Sequence, residues 1–193
     1  MEKFGVIFDI DGTIVDNHAH HEEAWLLWGN RNNKPIDREF YRARLYARTN
    51  EQIFNILYNG DISPKEILQF ADDKEAIYRE IYGPVMKPMP GLVDLLLELQ
   101  RLNIPCAAAS NAGRINVDFV MEQLRLRKFF RAILASEDVT HGKPARDIFL
   151  LAAKELEVAP TQCRVFRRFI RRVRGGAPRE NAGVCDYRPL AHG

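Results

Sequence analysis

The sequence has few cysteines, no long apolar run and no internal repeat. Its three cysteines, Cys106, Cys163 and Cys185, are widely spaced and odd in number, which matches neither a disulfide framework nor a zinc site. We therefore expect reduced thiols in the core. No stretch approaches the roughly 18 consecutive apolar residues of a membrane helix. The N-terminus also lacks a basic region followed by an apolar run and a cleavage site, so we expect a soluble, cytoplasmic protein without a membrane partner.

The chain has enough apolar residues for a buried core. Its 193 residues are 46% hydrophobic, which suits one domain or a core with a small insertion. Short apolar runs at 4–8, 104–109, 132–135, 164–166 and 183–185 alternate with helical patterns. This alternation is typical of an α/β protein with a doubly wound parallel sheet.

One region interrupts that alternation. Residues 17–87 read as consecutive helices, the first from His18 to about Arg31. Another begins after Thr49, with Gln52 as the reciprocal capping partner, and a third begins after Ser63 and Pro64. We predict an inserted all-helical domain at 17–87 and a core made of 1–16 and 88–193.

Two acids follow the first apolar run. Asp9 and Asp11 lie one residue apart, just before Gly12 and Thr13, and a parallel strand would direct both carboxylates from its carboxyl end, where open α/β sheets bind ligands. An aspartate that accepts a phosphoryl group needs a neighbour to move protons and a cation to neutralise the phosphate. Asp-X-Asp alone is common, but the strand before it and the Gly-Thr after it favour a catalytic role.

Two further polar side chains follow later apolar runs. Ser110 comes just before a predicted helix from Gly113 to Leu124, where it would donate its hydroxyl to a phosphate oxygen or simply cap the helix. Lys143 follows the run at 132–135 and precedes Pro144, which fixes the backbone. The lysine is either a solvated surface residue or, as we favour, a point charge against phosphate and Asp9.

In this order, Asp9-Ile10-Asp11-Gly12-Thr13, Ser110 and Lys143 resemble the first three motifs of the haloacid dehalogenase superfamily. The resemblance implies a Rossmann-like core whose helical cap closes over the site and selects the substrate. It also implies Mg²⁺ as cofactor, with Asp9 and Asp11 at the metal and Asp9, Asp11 and Lys143 in catalysis. Thr13, Ser110 and Asn111 are then the predicted phosphate-binding residues of the core.

The first cap helix resembles that of β-phosphoglucomutase-like members, which carry an acid, a histidine about five residues later and a tryptophan four beyond it. Asp16, His21 and Trp25 match these positions. His21 is therefore a predicted substrate-binding or proton-shuttling residue. The neighbouring histidines leave a metal site open, but carboxylates and phosphate suit Mg²⁺ better than imidazole does. Trp25 is more simply a packing residue, and Arg48 is predicted to bind a substrate hydroxyl or a second phosphate, or to be solvated.

The fourth motif of the superfamily is missing. An acidic pair, which supplies an acid to the Mg²⁺ site, is expected after Phe166, yet the chain has no acid and seven arginines from Arg164 to Arg179. Inserting one base before suitable codons for Glu-Asp-Ser-Ser-Glu-Gly-Phe-Glu-Ala-Ala gives residues 167–176 as written. We therefore hypothesise a local frameshift in the gene or in its recorded sequence. With Arg167 and Arg168 where the cation belongs, we expect weak metal binding and poor catalysis.

These observations favour a Mg²⁺-dependent phosphohydrolase that acts on a small phosphate ester, a sugar phosphate for example, through an aspartyl-phosphate. The first alternative is a β-phosphoglucomutase-like phosphomutase, and the second is a non-catalytic remnant that still binds phosphate. A nucleic-acid surface formed by the arginines is disfavoured because few aromatics are interleaved with them. The sequence does not indicate the specific substrate or the oligomeric state, although a monomer is plausible.

Overall fold

The computed structural model describes residues 4–46, 48–143 and 145–167. The chain divides into two compact units, one of Met1–Asp16 with Lys87–Gly193 and the other of Asn17–Met86. The predicted strand at 183–185, Arg168 and the remainder of the arginine-rich segment lie outside the described residues, as do Pro144 and Cys185. The roles of the two units as catalytic core and cap remain a prediction.

The elements of the described residues alternate in the first unit and are all helical in the second. In chain order they are β1 (Gly5–Phe8), α1 (His18–Arg31), α2 (Arg38–Phe40), α3 (Asn50–Leu57), α4 (Pro64–Tyr82), α5 (Leu92–Arg101), β2 (Cys106–Ala109), α6 (Arg114–Gln123), β3 (Ala132–Leu134), α7 (Asp147–Glu155) and β4 (Cys163–Phe166).

The first unit contains a parallel four-stranded sheet in the order β3-β2-β1-β4. The chain runs from β1 through β2 to β3 and then returns to place β4 on the other side of β1. Ligands of open α/β sheets bind at such a reversal, beyond the carboxyl ends of the strands. The sheet and the inserted helical unit confirm the predicted fold class, and the reversal makes the end of β1 the expected site.

The strands are short apolar runs because the sheet is covered by helices, which removes the need for alternating polar residues. α7 packs against β1, β2 and β3, and Ile7, Ala107 and Ile148 are fully buried in the resulting core. Cys106 and Cys163 are buried free thiols, as predicted, and burial raises the pKa of Cys106 to about 11.

The helical unit begins its elements as the sequence predicts. Thr49 and Gln52 form a capping box at the start of α3, and Ser63 and Glu66 form another at the start of α4. Trp25 is buried, which supports a packing role. The sequence did not predict the π-helix at Tyr41–Leu45, into which α2 continues directly. In the described part of the chain, no helix combines the length and apolar character needed to cross a membrane.

Candidate active site

Asp9 is the first residue after β1, and its backbone is tied to β4. Its N–H donates to the Phe166 carbonyl at 2.9 Å, so the ends of the two strands stay paired up to the site. The Asp9 side chain is nearly buried, and its Oδ1 accepts the Ile10 N–H at 2.9 Å. Gly12 then turns the chain with a φ of 73°, a conformation that favours glycine. The turn after the two acids therefore explains why a glycine follows them.

Lys143 lies against Asp9, as predicted. Its Nζ donates to Asp9 Oδ1 at 2.6 Å and to the Ala109 carbonyl at 2.8 Å, and its side chain is only 3% exposed. Burial lowers the pKa of Lys143 from its usual value, and the Asp9 carboxylate opposes that change. Lys143 is thus a buried partner of Asp9, and the surface-lysine alternative is wrong.

Ser110 lies at the end of β2 and contacts the second acid. Its Oγ donates to Asp11 Oδ2 at 3.2 Å and accepts the Ala112 N–H at 2.9 Å. The N-cap of α6 is Gly113, so the alternative in which Ser110 caps this helix is wrong. The hydroxyl therefore links the β2 end to Asp11, within the same group of side chains as Asp9 and Lys143.

Asn111 and Thr13 are placed less directly. Asn111 Oδ1 accepts the Lys143 N–H at 2.8 Å and its Nδ2 donates to the Lys143 carbonyl at 3.1 Å, so its amide positions the lysine. Thr13 is buried in the turn after β1, where its N–H donates to the Ile10 carbonyl at 3.2 Å. Direct phosphate binding by either residue stays a prediction.

A fifth side chain, Arg167, joins the site from β4. Its Nε lies 3.4 Å from Asp9 Oδ2, and 35% of its side chain is exposed. Strand pairing places Arg167 there. Phe8 of β1 is aligned with Phe166 of β4, and Asp9 and Arg167 are the residues that follow them. Asp9 therefore has Lys143 on one oxygen and Arg167 on the other.

These residues do not fit a Mg²⁺ site. The ion prefers near-octahedral oxygen ligands, usually including one or two carboxylates. Here both oxygens of Asp9 face cationic side chains. Among the described residues, no group of three or more His, Cys, Asp or Glu side chains is placed to hold a metal. Asp9 and Asp11 supply two carboxylates, but Arg167 brings a guanidinium to 3.4 Å from the second oxygen of Asp9.

The helical unit holds a second buried cluster of polar residues. Lys74 Nζ lies 3.0 Å from His21 Nδ1 and donates to Glu75 Oε1 at 2.8 Å. The His21 ring stacks on Tyr78 with centroids 4.0 Å apart, and Asn50 Nδ2 donates to Glu75 Oε1 at 2.9 Å. Because an ammonium can only donate, His21 accepts and is neutral. Substrate binding by His21 remains a prediction.

Burial and the neighbouring charges shift the pKa values of His21 and Glu75. Burial lowers the pKa of His21 well below its usual value, and Lys74 lowers it further. For Glu75, burial alone would raise the pKa, but Lys74 and the hydrogen bonds around the carboxylate lower it to about 2. Lys74 was missed in the sequence because a lone lysine carries no motif; its only signal is the four-residue spacing from Tyr78 on α4.

Arg48 belongs to the same unit but not to this cluster. Its side chain is exposed, and its Nε donates to the Arg44 carbonyl at 2.7 Å, beyond the end of the π-helix. The exposed position agrees with the alternative in which Arg48 is solvated. Its predicted contact with substrate remains untested.

Comparison with known proteins identifies the family. Residues 5–166 match the model of the haloacid dehalogenase-like hydrolases. The chain is 32% identical to fructose-1-phosphate phosphatase YqaB of Escherichia coli, over 84% of this chain and 85% of that protein. It is 30% identical to β-phosphoglucomutase of Bacillus subtilis, over 82% and 72% of the two chains. A chloroplastic 5-amino-6-(5-phospho-D-ribitylamino)uracil phosphatase of Arabidopsis thaliana is 30% identical over 84% of this chain, which spans only 44% of that protein.

Solved structures agree with the sequence matches. A haloacid dehalogenase (HAD) hydrolase of family IA from Entamoeba histolytica superposes with a TM-score of 0.77 at 29% identity, covering 86% of this chain and 74% of that one. CbbY from Rhodobacter sphaeroides, solved in complex with phosphate, gives a TM-score of 0.73 at 27% identity, with coverage of 84% and 76%. Both the fold and the family resemblance inferred from three short motifs are confirmed.

Proposed function

We propose that this chain, which belongs to the haloacid dehalogenase-like hydrolase family, is a phosphohydrolase that transfers a phosphoryl group to Asp9. The observation that carries the proposal is the contact of Lys143 with Asp9 Oδ1 at 2.6 Å, at the carboxyl end of β1. This contact places a buried cation beside the nucleophile, where it would reduce the repulsion between a carboxylate and an incoming phosphate.

Each contacting residue then has a role. Lys143 and the Ile10 N–H hold Asp9 Oδ1, so Oδ2, which has only the longer contact of 3.4 Å with Arg167 Nε, is the oxygen that would attack phosphorus. As the Oδ2–P bond forms, the ester P–O bond breaks and Asp11 gives a proton to the leaving oxygen. Asp11 then takes a proton from the water that attacks phosphorus, which releases phosphate and restores Asp9. Ser110 orients Asp11 in the free site, and its single O–H proton would turn from Asp11 to a phosphoryl oxygen when the substrate binds.

Members of the family use Mg²⁺, which neutralises the transferring phosphate when it is bound. In this chain the described residues offer Asp9 and Asp11 but place Arg167 against Asp9. We propose that Mg²⁺ binds weakly here and that turnover is slow, because a guanidinium and a divalent cation repel each other in a nearly buried site. The local frameshift, which accounts for the missing acid, remains a hypothesis about the gene.

The relatives support the substrate class that we propose. Fructose-1-phosphate phosphatase and β-phosphoglucomutase both act on sugar phosphates by name, so a small sugar phosphate is the proposed substrate. The mutase alternative rests on the 30% identity to β-phosphoglucomutase and on the match of Asp16, His21 and Trp25 to the first cap helix of β-phosphoglucomutase-like members. A mutase would return the phosphoryl group to the sugar, whereas a phosphatase gives it to water.

A phosphate-release assay over a panel of sugar phosphates, with and without Mg²⁺, tests the proposal. A phosphatase releases phosphate in proportion to substrate consumed, and the Asp9→Asn variant does not. A mutase instead yields an isomeric sugar phosphate and depends on a bisphosphate activator. The non-catalytic alternative predicts phosphate binding without either product, and it would displace the present proposal.

A further inference from the structure

We infer that Arg167 takes the place of a divalent cation at Asp9, so that the site binds a phosphate dianion without metal. The ligand is inorganic phosphate or the phosphoryl end of a phosphate monoester. The inference relies on the proposed function only for where the phosphoryl group binds, and it concerns binding rather than turnover.

The position of Arg167 is fixed by the sheet. The N–H of Asp9 donates to the carbonyl of Phe166, the residue before Arg167, at 2.9 Å. The rings of Phe8 and Phe166 are stacked, with centroids 5.1 Å apart and planes 13° apart. Backbone pairing and ring stacking therefore hold the last residues of β1 and β4 together. The guanidinium reaches Asp9 because it follows a paired strand.

The guanidinium is not fully committed to Asp9. Its Nε lies 3.4 Å from Oδ2, longer than the roughly 2.8 Å of a charge-assisted hydrogen bond. Arginine has five donors in a planar fork that matches two oxygens of a phosphate. Since 35% of the side chain is exposed, an anion from solvent can reach the fork. Lys143, by contrast, is nearly buried and bound to two oxygens of the protein.

Cationic side chains already face both oxygens of Asp9. Lys143 Nζ lies 2.6 Å from Oδ1, and Arg167 Nε lies 3.4 Å from Oδ2. A divalent cation would make this group strongly positive and would approach the guanidinium where screening is weak. A phosphate instead gains the guanidinium fork, which supplies the charge that a metal ion would otherwise provide.

The test is calorimetric titration of inorganic phosphate into the 193-residue chain, once with EDTA and once with excess Mg²⁺. We expect binding in EDTA, with an affinity that Mg²⁺ changes by less than about twofold. The Arg167→Gln variant should bind phosphate about tenfold more weakly, the usual cost of one charge-assisted contact. Arg167→Lys keeps the charge but not the fork and should lie between the two.

Arg164→Gln is the matched control, because Arg164 is an exposed arginine on β4 itself; it should leave the affinity unchanged. Arg167→Asp should abolish binding in EDTA and restore it with Mg²⁺. Thermal unfolding of each variant verifies that it is folded.

The inference is overturned if the unsubstituted chain binds phosphate only with Mg²⁺, if it binds none in either buffer, or if Arg167→Gln matches Arg164→Gln. Phosphate release that requires Mg²⁺ together with no binding in EDTA would reject the inference and leave the proposed function standing. Binding in EDTA without phosphate release in any buffer would do the reverse.

Discussion

Among the described residues, the nearly buried lysines Lys143 and Lys74 each contact an acid, and the surroundings of the two pairs differ. In the core unit, Lys143 contacts Asp9, whose other oxygen faces the partly exposed Arg167. In the helical unit, Lys74 contacts Glu75 and His21, and Tyr78 stacks over the histidine. In the first pair, Asp9 directly follows β1 and Lys143 lies between β3 and α7, and the neighbouring Arg167 side chain is 35% exposed. In the second pair the lysine is buried, 19% of the Glu75 side chain is exposed, and the two charges satisfy one another.

A buried ion pair therefore does not by itself indicate catalysis. Charges that satisfy one another within a packed helical unit mostly determine stability, and removing one leaves the other without its partner. Charges at the reversal of a parallel sheet, with a cation accessible from solvent, are placed to bind an anion. The comparison therefore predicts that substitutions in the first group change chemistry and that substitutions in the second change stability.

The largest effect is expected from Asp9→Asn. The amide cannot serve as the nucleophile, so phosphate release should fall by a factor of about a thousand or more. Steady-state assays with a responsive sugar phosphate measure this loss. Asp61→Asn, which neutralises an exposed acid in the helical unit, is the matched control and should keep full activity. Activity within tenfold of the unsubstituted chain would remove Asp9 from the mechanism.

The next largest effect is expected from Lys74→Met. Loss of the ammonium leaves the Glu75 carboxylate without its main partner, and breaking a buried pair in this way costs roughly 3–5 kcal/mol. Urea unfolding followed by circular dichroism measures the free energy of unfolding. Lys65→Met, an exposed lysine in the first turn of the same helix, should change it by less than about 0.5 kcal/mol. Equal effects of the two substitutions would show that the cluster is not stabilising.

Acid should destabilise the cluster of His21, Lys74 and Glu75 in two steps. The folded chain holds His21 neutral with a pKa well below 6.5, so the unfolded chain binds more protons and stability falls as pH drops below 6.5. Glu75 has a folded pKa of about 2 against 4.5, so its contribution is complete above pH 4.5 and is lost as pH falls toward 2. That second loss is on the order of 3 kcal/mol.

Unfolding free energies measured from pH 7 to pH 2 trace these losses. In the Glu75→Gln variant the steeper fall below pH 4.5 should disappear, because the amide does not titrate. A profile in the variant that is as steep as in the unsubstituted chain would assign the acid sensitivity to other carboxylates.

A smaller effect is expected from Asn111→Ala. The asparagine amide makes two hydrogen bonds to the backbone of Lys143 and so positions the lysine. Its loss should reduce the turnover number about tenfold while changing KM little, because a displaced Lys143 weakens charge stabilisation in the transition state. If KM rises tenfold at constant turnover number, Asn111 binds the substrate directly, as the sequence predicted.

The group at Asp9 was largely predictable from sequence because parallel strands bring their carboxyl ends to one edge. Asp9, Ser110 and Lys143 each follow a short apolar run, and the structure brings them together through direct contacts. The sequence also predicted that Arg167 lies at this edge of the sheet, because it follows the apolar run that forms β4. Its contact with Asp9 depends on β4 pairing beside β1, which the order of elements alone does not specify.

The cluster in the helical unit was less predictable. His21 was recognised through its resemblance to related cap helices, but its partner Lys74 lies 53 residues away on another helix. A helix pattern shows which face is buried and does not show which polar residues meet on that face. The pairing depends on how α1 and α4 pack, and only the structure supplies that.

The central claim is that Asp9 accepts the phosphoryl group. It is tested most directly by quenching the chain with acid during turnover and mapping its peptides by mass spectrometry. We expect the peptide containing Asp9 to gain one phosphoryl group that hydroxylamine removes, and we expect Asp9→Asn never to acquire it. Phosphate release without this adduct, or with a phosphoryl group on another residue, would contradict the account.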